Sequence, residues 1–441
     1  MAFMPIELWG GVECTVNRVR DHYCDQVYLT GHETREDDLD RFANLGIKAM
    51  RYPVLWERTA PEGKANWKWP DQRLHHLREL GITPIVGLLH HGSGPKITSL
   101  IDPDFPRRFS EYARSVAQRY PWLENYVPIN EPLTTARFSC LYGHWYPHRT
   151  DSSSFARALL LQCQAIVLAM RAIRAVNSDA RLIQTEDLGK TFASPVLRYQ
   201  AEFDNSRRWL TWDLLGGRFD SSHALWEFFR RAQISERDLM WFQENPCPPD
   251  ILGINYYVTS ERYIDEDVQQ YPAASHGGNG RHNYVDVEAV RVLDSADLGL
   301  QRRIAEAWVR YHKPIAITES HLGCIDPHQQ LLWFQDAWES ARLQQTCGVE
   351  LIAVTSWALL GAYDWDSLLT ERNHHYERGA FEIRNGRPEP APLANLLRGL
   401  ATDRTPHSLN PHNNATAWWK DPSRFRYPPI SPDFAMLSSA V

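Results

Sequence analysis

Apolar positions along this chain alternate between two spacings. Short β-branched or apolar runs have the character of buried strands, and between them apolar side chains return every three or four residues, as on one face of a helix. "IELWGGVECT" (6–15) predicts a strand, and "REDDLDRFANLG" (35–46) a helix with Leu39, Phe42, Ala43 and Leu45 on one face and Gly46 as its stop. The alternation continues with strands at 48–54, 83–91 and 123–132 and helices at 70–81, 104–120 and 154–177. "RLIQTEDL" (181–188), "DILGINYY" (250–257), "PIAITES" (314–320) and "LIAVTSWALLG" (351–361) supply four further strands, with helices at 298–312 and 329–345.

Eight strands in β-then-α order predict a parallel sheet, most simply a closed (β/α)₈ TIM barrel in the α/β class. A doubly wound open sheet is the alternative. It is disfavoured because no GxGxxG follows the first strand, and "GGNG" (277–280) lies in a polar stretch that predicts a loop tip. Residues 260–297 form a long insertion on the strand-end face, expected to be a lid or subsite wall. The expected organisation is one barrel domain over 1–400 and a tail over 401–441 that wraps it, anchored by Trp418 and Trp419.

Composition narrows this picture. A barrel commonly accommodates a chain of 441 residues as one domain, and 43% hydrophobic with 23% charged residues is ordinary for a globular protein. The net charge of -7 offers no basic field, so nucleic acid is excluded as an expected partner. Seven cysteines without CxxC spacing predict neither a disulfide framework nor a zinc site. The N-terminus lacks the pattern of a secretory signal, and no apolar run reads as long enough to span a bilayer. The expectation is a cytoplasmic protein with no membrane partner and no cofactor; oligomeric state is left open.

Candidate chemistry starts from "NYVPINEPLTTARF" (125–138), where an acid ends an apolar run just before a proline. Buried Glu is costly unless paired or used. The bland reading of Glu131 is an N-cap or loop acid, and the sharp one a catalytic acid at a strand end. In a (β/α)₈ barrel the functional residues stand at the C-terminal ends of strands. Those ends carry Asn17, Arg51, His90, Asn130, Glu131, Asn255, Tyr257, Glu319 and Trp357. Two carboxylates among amides, imidazole, phenol, guanidinium and indole are the groups needed to cut a glycosidic bond.

The same stretches carry a resemblance. "LWGGVECTVN", "RYPVLWERTAP", "PIVGLLHH", "INEP", "DILGINYYVT", "ITES" and "WALLGAYDW" occur in this order, each on or beside a predicted strand. Together they resemble the motifs of the family 1 glycoside hydrolases, over nearly the whole chain. The resemblance implies a retaining β-glycosidase acting on a carbohydrate or glycoside without metal or cofactor. It implies Glu131 as acid/base and Glu319 as nucleophile. Asn130 would bond the sugar 2-hydroxyl, and Arg51 and Tyr257 would hold Glu319 ionised. Asn17, His90, Asn255, Trp357, Asp364 and Trp365 would bind substrate. A transglycosylase using the same carboxylates, or a non-catalytic carbohydrate-binding protein on a decayed barrel, is the alternative.

The glycone pocket departs from the family pattern. Asn17 stands for Gln, Asp364 for Glu, Gly361-Ala362 for Asp-Asn, and Ser320-His321 for Asn-Gly. Two side chains one methylene shorter imply a bulkier or substituted glycone, or other residues filling the space. His90 and His91 lack a third ligand at metal spacing and are expected to be solvated or sugar-bonding. Glu186 and Asp187 are expected at the rim or a subsite. Glu13 and Cys14 fall inside the first predicted strand with no assigned role.

Overall fold

Eight of the predicted runs pair as parallel strands and close on themselves in a computed structural model that describes residues 5–402, 416–427, 429 and 430. The strands are β1 (Glu7–Gly11), β2 (Ala49–Pro53), β3 (Thr83–His90), β4 (Asn125–Asn130), β5 (Arg181–Asp187), β6 (Ile251–Tyr256), β7 (Ile315–Ser320) and β8 (Leu351–Ser356). Closure runs through β1, where Trp9 pairs in register with Ala49 of β2 and with Thr355 of β8. The fold is the (β/α)₈ barrel, so no sheet edge is left to be covered.

Each strand contributes one residue to a plug inside the barrel: Trp9, Ala49, Ile85, Val127, Ile183, Ile251, Ala316 and Ala353. Alanines on both strands beside Trp9, Ala49 and Ala353, and on the next strand, Ala316, leave room for its indole without overpacking. A larger cluster lies between the strands and the outer helices. Longer helices cover the outside, among them Lys68–Glu79, Phe105–Arg119, Leu300–Tyr311 and Pro327–Thr346. Gly46 and Gly81 follow two of the helices with φ of 81° and 71°, which side-chain-bearing residues rarely adopt.

Several local expectations need correction. β1 ends at Gly11, so Glu13 and Cys14 lie beyond it; Thr15 N–H donates to the Glu13 carboxylate at 2.9 Å instead of extending the ladder. The helix expected over 35–46 is confined to Asp38–Ala43; Arg35 lies before it, its guanidinium donating to Thr30 O and to Asp38. Helix Ser152–Arg174 is long and apolar enough by length and composition to cross a membrane, contrary to the sequence expectation. In the fold 72% of its apolar window is buried, and it packs against Phe105–Arg119 as a core helix.

The insertion forms a sheet with the segment that follows β5. Thr191–Ala193, Arg262–Asp265, Asn283–Glu288 and His276–Gly278 form four strands over a small core that includes Phe192, Tyr263, Val285 and Val287. Of the expected tail, residues 403–415, 428 and 431–441 lie outside the described residues. Within the described part, the Trp419 ring lies 5.0 Å from Trp333 of helix Pro327–Thr346, and Ile430 bridges to Leu293.

Candidate active site

The C-terminal ends of β2, β4, β6 and β7 converge on two carboxylates. Glu319 closes β7, and its Oε1 accepts from Arg51 Nη1 at 2.6 Å, while Tyr257, just past β6, donates its hydroxyl to Oε2. Arg51 is committed on its other side as well: Nη2 donates to Asn130 Oδ1 at 2.6 Å. Glu319 is only 2% exposed, and burial pushes its carboxyl up to about 7, against the pull of Arg51 and the Tyr257 hydrogen bond.

Glu131 follows β4 in a left-handed conformation with φ 43°, and Pro132 begins the next helix, Pro132–Ala136. Proline suits that position because no partner is needed for an N–H there. A Glu at this N-cap site would ordinarily spend its carboxylate on the helix end, but Glu131 makes no cap bond. Glu186 takes over that duty: its Oε1 accepts from Leu133 N–H at 3.0 Å and from the Thr211 hydroxyl. Glu186 is therefore a fully buried brace behind the helix, not the rim residue expected from sequence.

The Glu131 side chain is thereby free to face the barrel mouth. Asn255 Nδ2 donates to its Oε1 at 2.6 Å, and His91 Nε2 lies 3.8 Å from Oε2. Burial, together with the charges of Glu319, Asp187 and Glu186, pushes the Glu131 carboxyl well above the usual range, with the Asn255 bond opposing. Asn130 joins the two halves. Its Oδ1 accepts from Arg51, from Thr185 Oγ1 at 2.8 Å and from Asn255 at 3.4 Å, and its Nδ2 faces the Nε2 atoms of His90 and His91 at 3.3 and 3.2 Å. Thr318 Oγ1 holds Asn255 by its Oδ1 at 2.7 Å.

Both histidines are buried, which overturns the solvated reading of the doublet. Burial lowers the His91 imidazole to about 3, helped by Arg51, and lowers His90 well below its usual range, helped by His91 and Arg51, so both are neutral near pH 7. His90 stacks on Trp357 with ring centres 5.3 Å apart, and Arg51 lies 4.5 Å from the same indole. A side chain at Gly11 would bring a Cβ within 2.5 Å of that ring, so glycine there makes room for Trp357.

Glu13, unassigned from sequence, also enters this cluster. It accepts from Trp357 Nε1 at 3.2 Å and lies 4.0 Å from His90 Nε2, and burial raises its carboxyl.

Asn17 is buried with neither amide atom hydrogen-bonded, and the Trp365 indole N–H is buried and unpartnered too. Such groups are costly unless a ligand completes them. Cys24 pairs with Asn17 across a hairpin and has the Asp364 carboxylate nearby; burial and that charge push its thiol up to about 11. The departure at Gly361 has a backbone reason: its φ is 74°, and a Cβ would meet Glu377 O at 2.0 Å. His321, in the second altered pair, bonds Glu377 at 3.1 Å.

Comparisons with known proteins identify the family and match the fold. The profile of glycosyl hydrolase family 1 matches residues 13–376. A β-glucosidase A from Thermotoga maritima is 25% identical over 57% of this chain and 59% of its own length. A phospho-cellobiase from Klebsiella oxytoca is 23% identical over 73% of this chain and 74% of its own. The solved structure of a Thermotoga maritima β-glucosidase with deoxynojirimycin shares the fold with a TM-score of 0.71 at 18% identity, covering 91% of this chain and 99% of that one. With most of its length matched by the profile, this chain belongs to glycosyl hydrolase family 1.

Proposed function

We propose that the protein is a retaining β-glycosidase in which Glu319 is the nucleophile and Glu131 the acid/base. The observation that carries the reading is the contrast in donors. Glu319 receives a guanidinium and a phenol, whereas Glu131 receives one neutral amide and faces other acids. The ionised form is therefore favoured at Glu319 and the protonated form at Glu131, as double displacement requires.

The chemistry follows from those states. Glu319 attacks the anomeric carbon as Glu131 gives its proton to the departing glycosidic oxygen, leaving a covalent glycosyl ester. Glu131, now a carboxylate, takes a proton from water, which attacks the same carbon and frees Glu319. Direct attack calls for a carboxyl separation of about 5–5.5 Å. Asn17, His90, Trp357, Asp364 and Trp365 wall the glycone, with the unpartnered amide of Asn17 and indole of Trp365 as hydroxyl partners. The sheet that the insertion forms with Thr191–Ala193 acts as a wall over the mouth.

A panel of activated aryl β-glycosides tests the reading, followed by trapping with the 2-fluoro derivative of the sugar cleaved best. The expected result is turnover and a stoichiometric adduct on the peptide that contains Glu319. A protein that binds these glycosides but turns over none of them is not a glycosidase, and an adduct elsewhere removes Glu319 from the nucleophile role.

A further inference from the structure

Beyond the carboxylate pair, an aromatic wall runs outward on the Glu131 side. His91, next to Glu131, lies 5.4 Å from Trp145; Trp145 lies 5.0 Å from Phe138, and Phe138 6.0 Å from Tyr142. Burial falls off along this path, from Trp145 at 1% exposed to Tyr142 at 41%. The wall thus leads from the reacting centre to solvent on the acid/base side, where the group leaving with a proton must sit.

Arg137 stands at the outer end of that wall. It opens the π-helical turn Arg137–Leu141 that follows helix Pro132–Ala136, so the segment carrying Glu131 also carries the guanidinium. Its Cζ is 5.6 Å from the Tyr142 ring and 6.0 Å from the Phe138 ring, and its one side-chain hydrogen bond is a long one to the Tyr142 hydroxyl at 3.4 Å. Among the described residues Arg137 has no ion pair.

Nearby acids act on it through space without bonding it. Asp204 is paired with Arg207 at 2.6 Å, and Asp187 accepts from the Ser260 hydroxyl. Across from Tyr142, the insertion brings Tyr284 close to Arg207 and Asp204. An unpaired guanidinium over aromatic faces keeps most of its donors available to a ligand, and its planar fork matches a carboxylate.

From this placement we infer that the aglycone subsite takes a flat aromatic aglycone bearing a carboxylate, stacked on Phe138 and Tyr142 and paired with Arg137. The inference rests on the glycosidase reading above.

The test compares two substrates on the sugar cleaved best in the panel, a para-carboxyphenyl β-glycoside and its methyl ester, with wild type, Arg137→Gln and Arg137→Lys. The readout is the change between variants in the ratio of kcat/KM for acid over ester, in which the intrinsic difference in leaving-group reactivity and any loss common to both substrates cancel. The ratio should be highest in wild type. The ratio should fall by about tenfold in Arg137→Gln, the scale of one partly exposed charge-assisted contact, with part restored by Arg137→Lys. If the ester is cleaved but the ratio is the same in wild type and Arg137→Gln, the anionic subsite is wrong while the glycosidase reading stands. If neither substrate is cleaved, nor any in the panel, both fall together.

Discussion

Glu319 and Glu131 have the same side chain and nearly the same burial, 2% and 4% exposed, yet the protein surrounds them in opposite ways. Every oxygen of Glu319 meets a donor that favours charge. Glu131 meets an amide, a neutral imidazole and three acids. Burial alone would raise both and separate neither; partners decide which carboxyl ionises first. The order matters for sign. Activity in kcat/KM should rise as Glu319 loses its proton, near its value of about 7, and fall once Glu131 loses its own at higher pH. A profile with no ascending limb near pH 7 would mean that the attacking carboxylate does not titrate there.

Removing either carboxylate breaks the comparison most severely. Glu319→Ala should lower kcat by roughly 10⁴-fold or more, because no other group occupies the attacking position. Azide, small enough for the vacated space, should restore turnover and give the α-glycosyl azide, identifiable by NMR; a β-configured product would place the attack on the opposite face. Glu131→Ala should act selectively. A glycoside with a poor leaving group needs the proton and should slow by about 10²–10⁴-fold, whereas an activated nitrophenyl glycoside should keep most of its rate of glycosyl transfer to the enzyme. Equal losses on both leaving groups would mean that Glu131 is not the acid.

Much of the barrel was legible because strand and helix periods differ so clearly, and the strand ends then pointed to Arg51, Asn130, Glu131, Asn255, Tyr257 and Glu319, which the structure brings into one network. What local pattern missed lies in long-range contacts. Glu186 looks like another strand-end acid, and only the position of helix Pro132–Ala136 reveals the N–H it must satisfy. The His90-His91 doublet reads as polar surface, yet Thr135, Trp145 and Trp357 enclose it from distant segments. Four short helices, Arg198–Arg207, Leu210–Leu215, Trp226–Arg231 and Glu236–Glu244, left little periodic signal, since segments so short are stabilised by packing more than by propensity. Glu13 was misplaced because Val12 and Cys14 continue the apolar run beyond the last ladder bond.

Smaller changes sharpen the contrast without removing a carboxylate. Tyr257→Phe deletes one donor to Glu319, and a hydrogen bond to a charged group is worth about 1.5–3 kcal/mol. Because that bond favours the ionised form, its loss should raise the nucleophile's pKa and move the ascending limb to higher pH. The activity deficit should be about tenfold or more below pH 6 and shrink at alkaline pH. A uniform loss at every pH would show that Tyr257 positions substrate without tuning Glu319.

Glu13→Gln should have the smallest effect and the opposite sign. The Glu13 carboxylate raises the pKa of Glu319 through space, while Arg51 and Tyr257 lower it. Gln keeps one acceptor oxygen, enough for either the Thr15 N–H or the Trp357 indole N–H, which bond different oxygens of Glu13. With the charge gone, the ascending limb should move to lower pH by a fraction of a unit, and kcat at the optimum should change by less than about threefold. Burial also raises Glu13 itself, so the displacement is limited to the fraction of Glu13 that is ionised where Glu319 titrates. A shift toward alkaline pH would mean that Glu13 acts by holding Trp357 and Arg51 in place, its charge counting for little. Measuring both limbs in Tyr257→Phe and Glu13→Gln therefore separates donors from charge in setting the nucleophile's pKa.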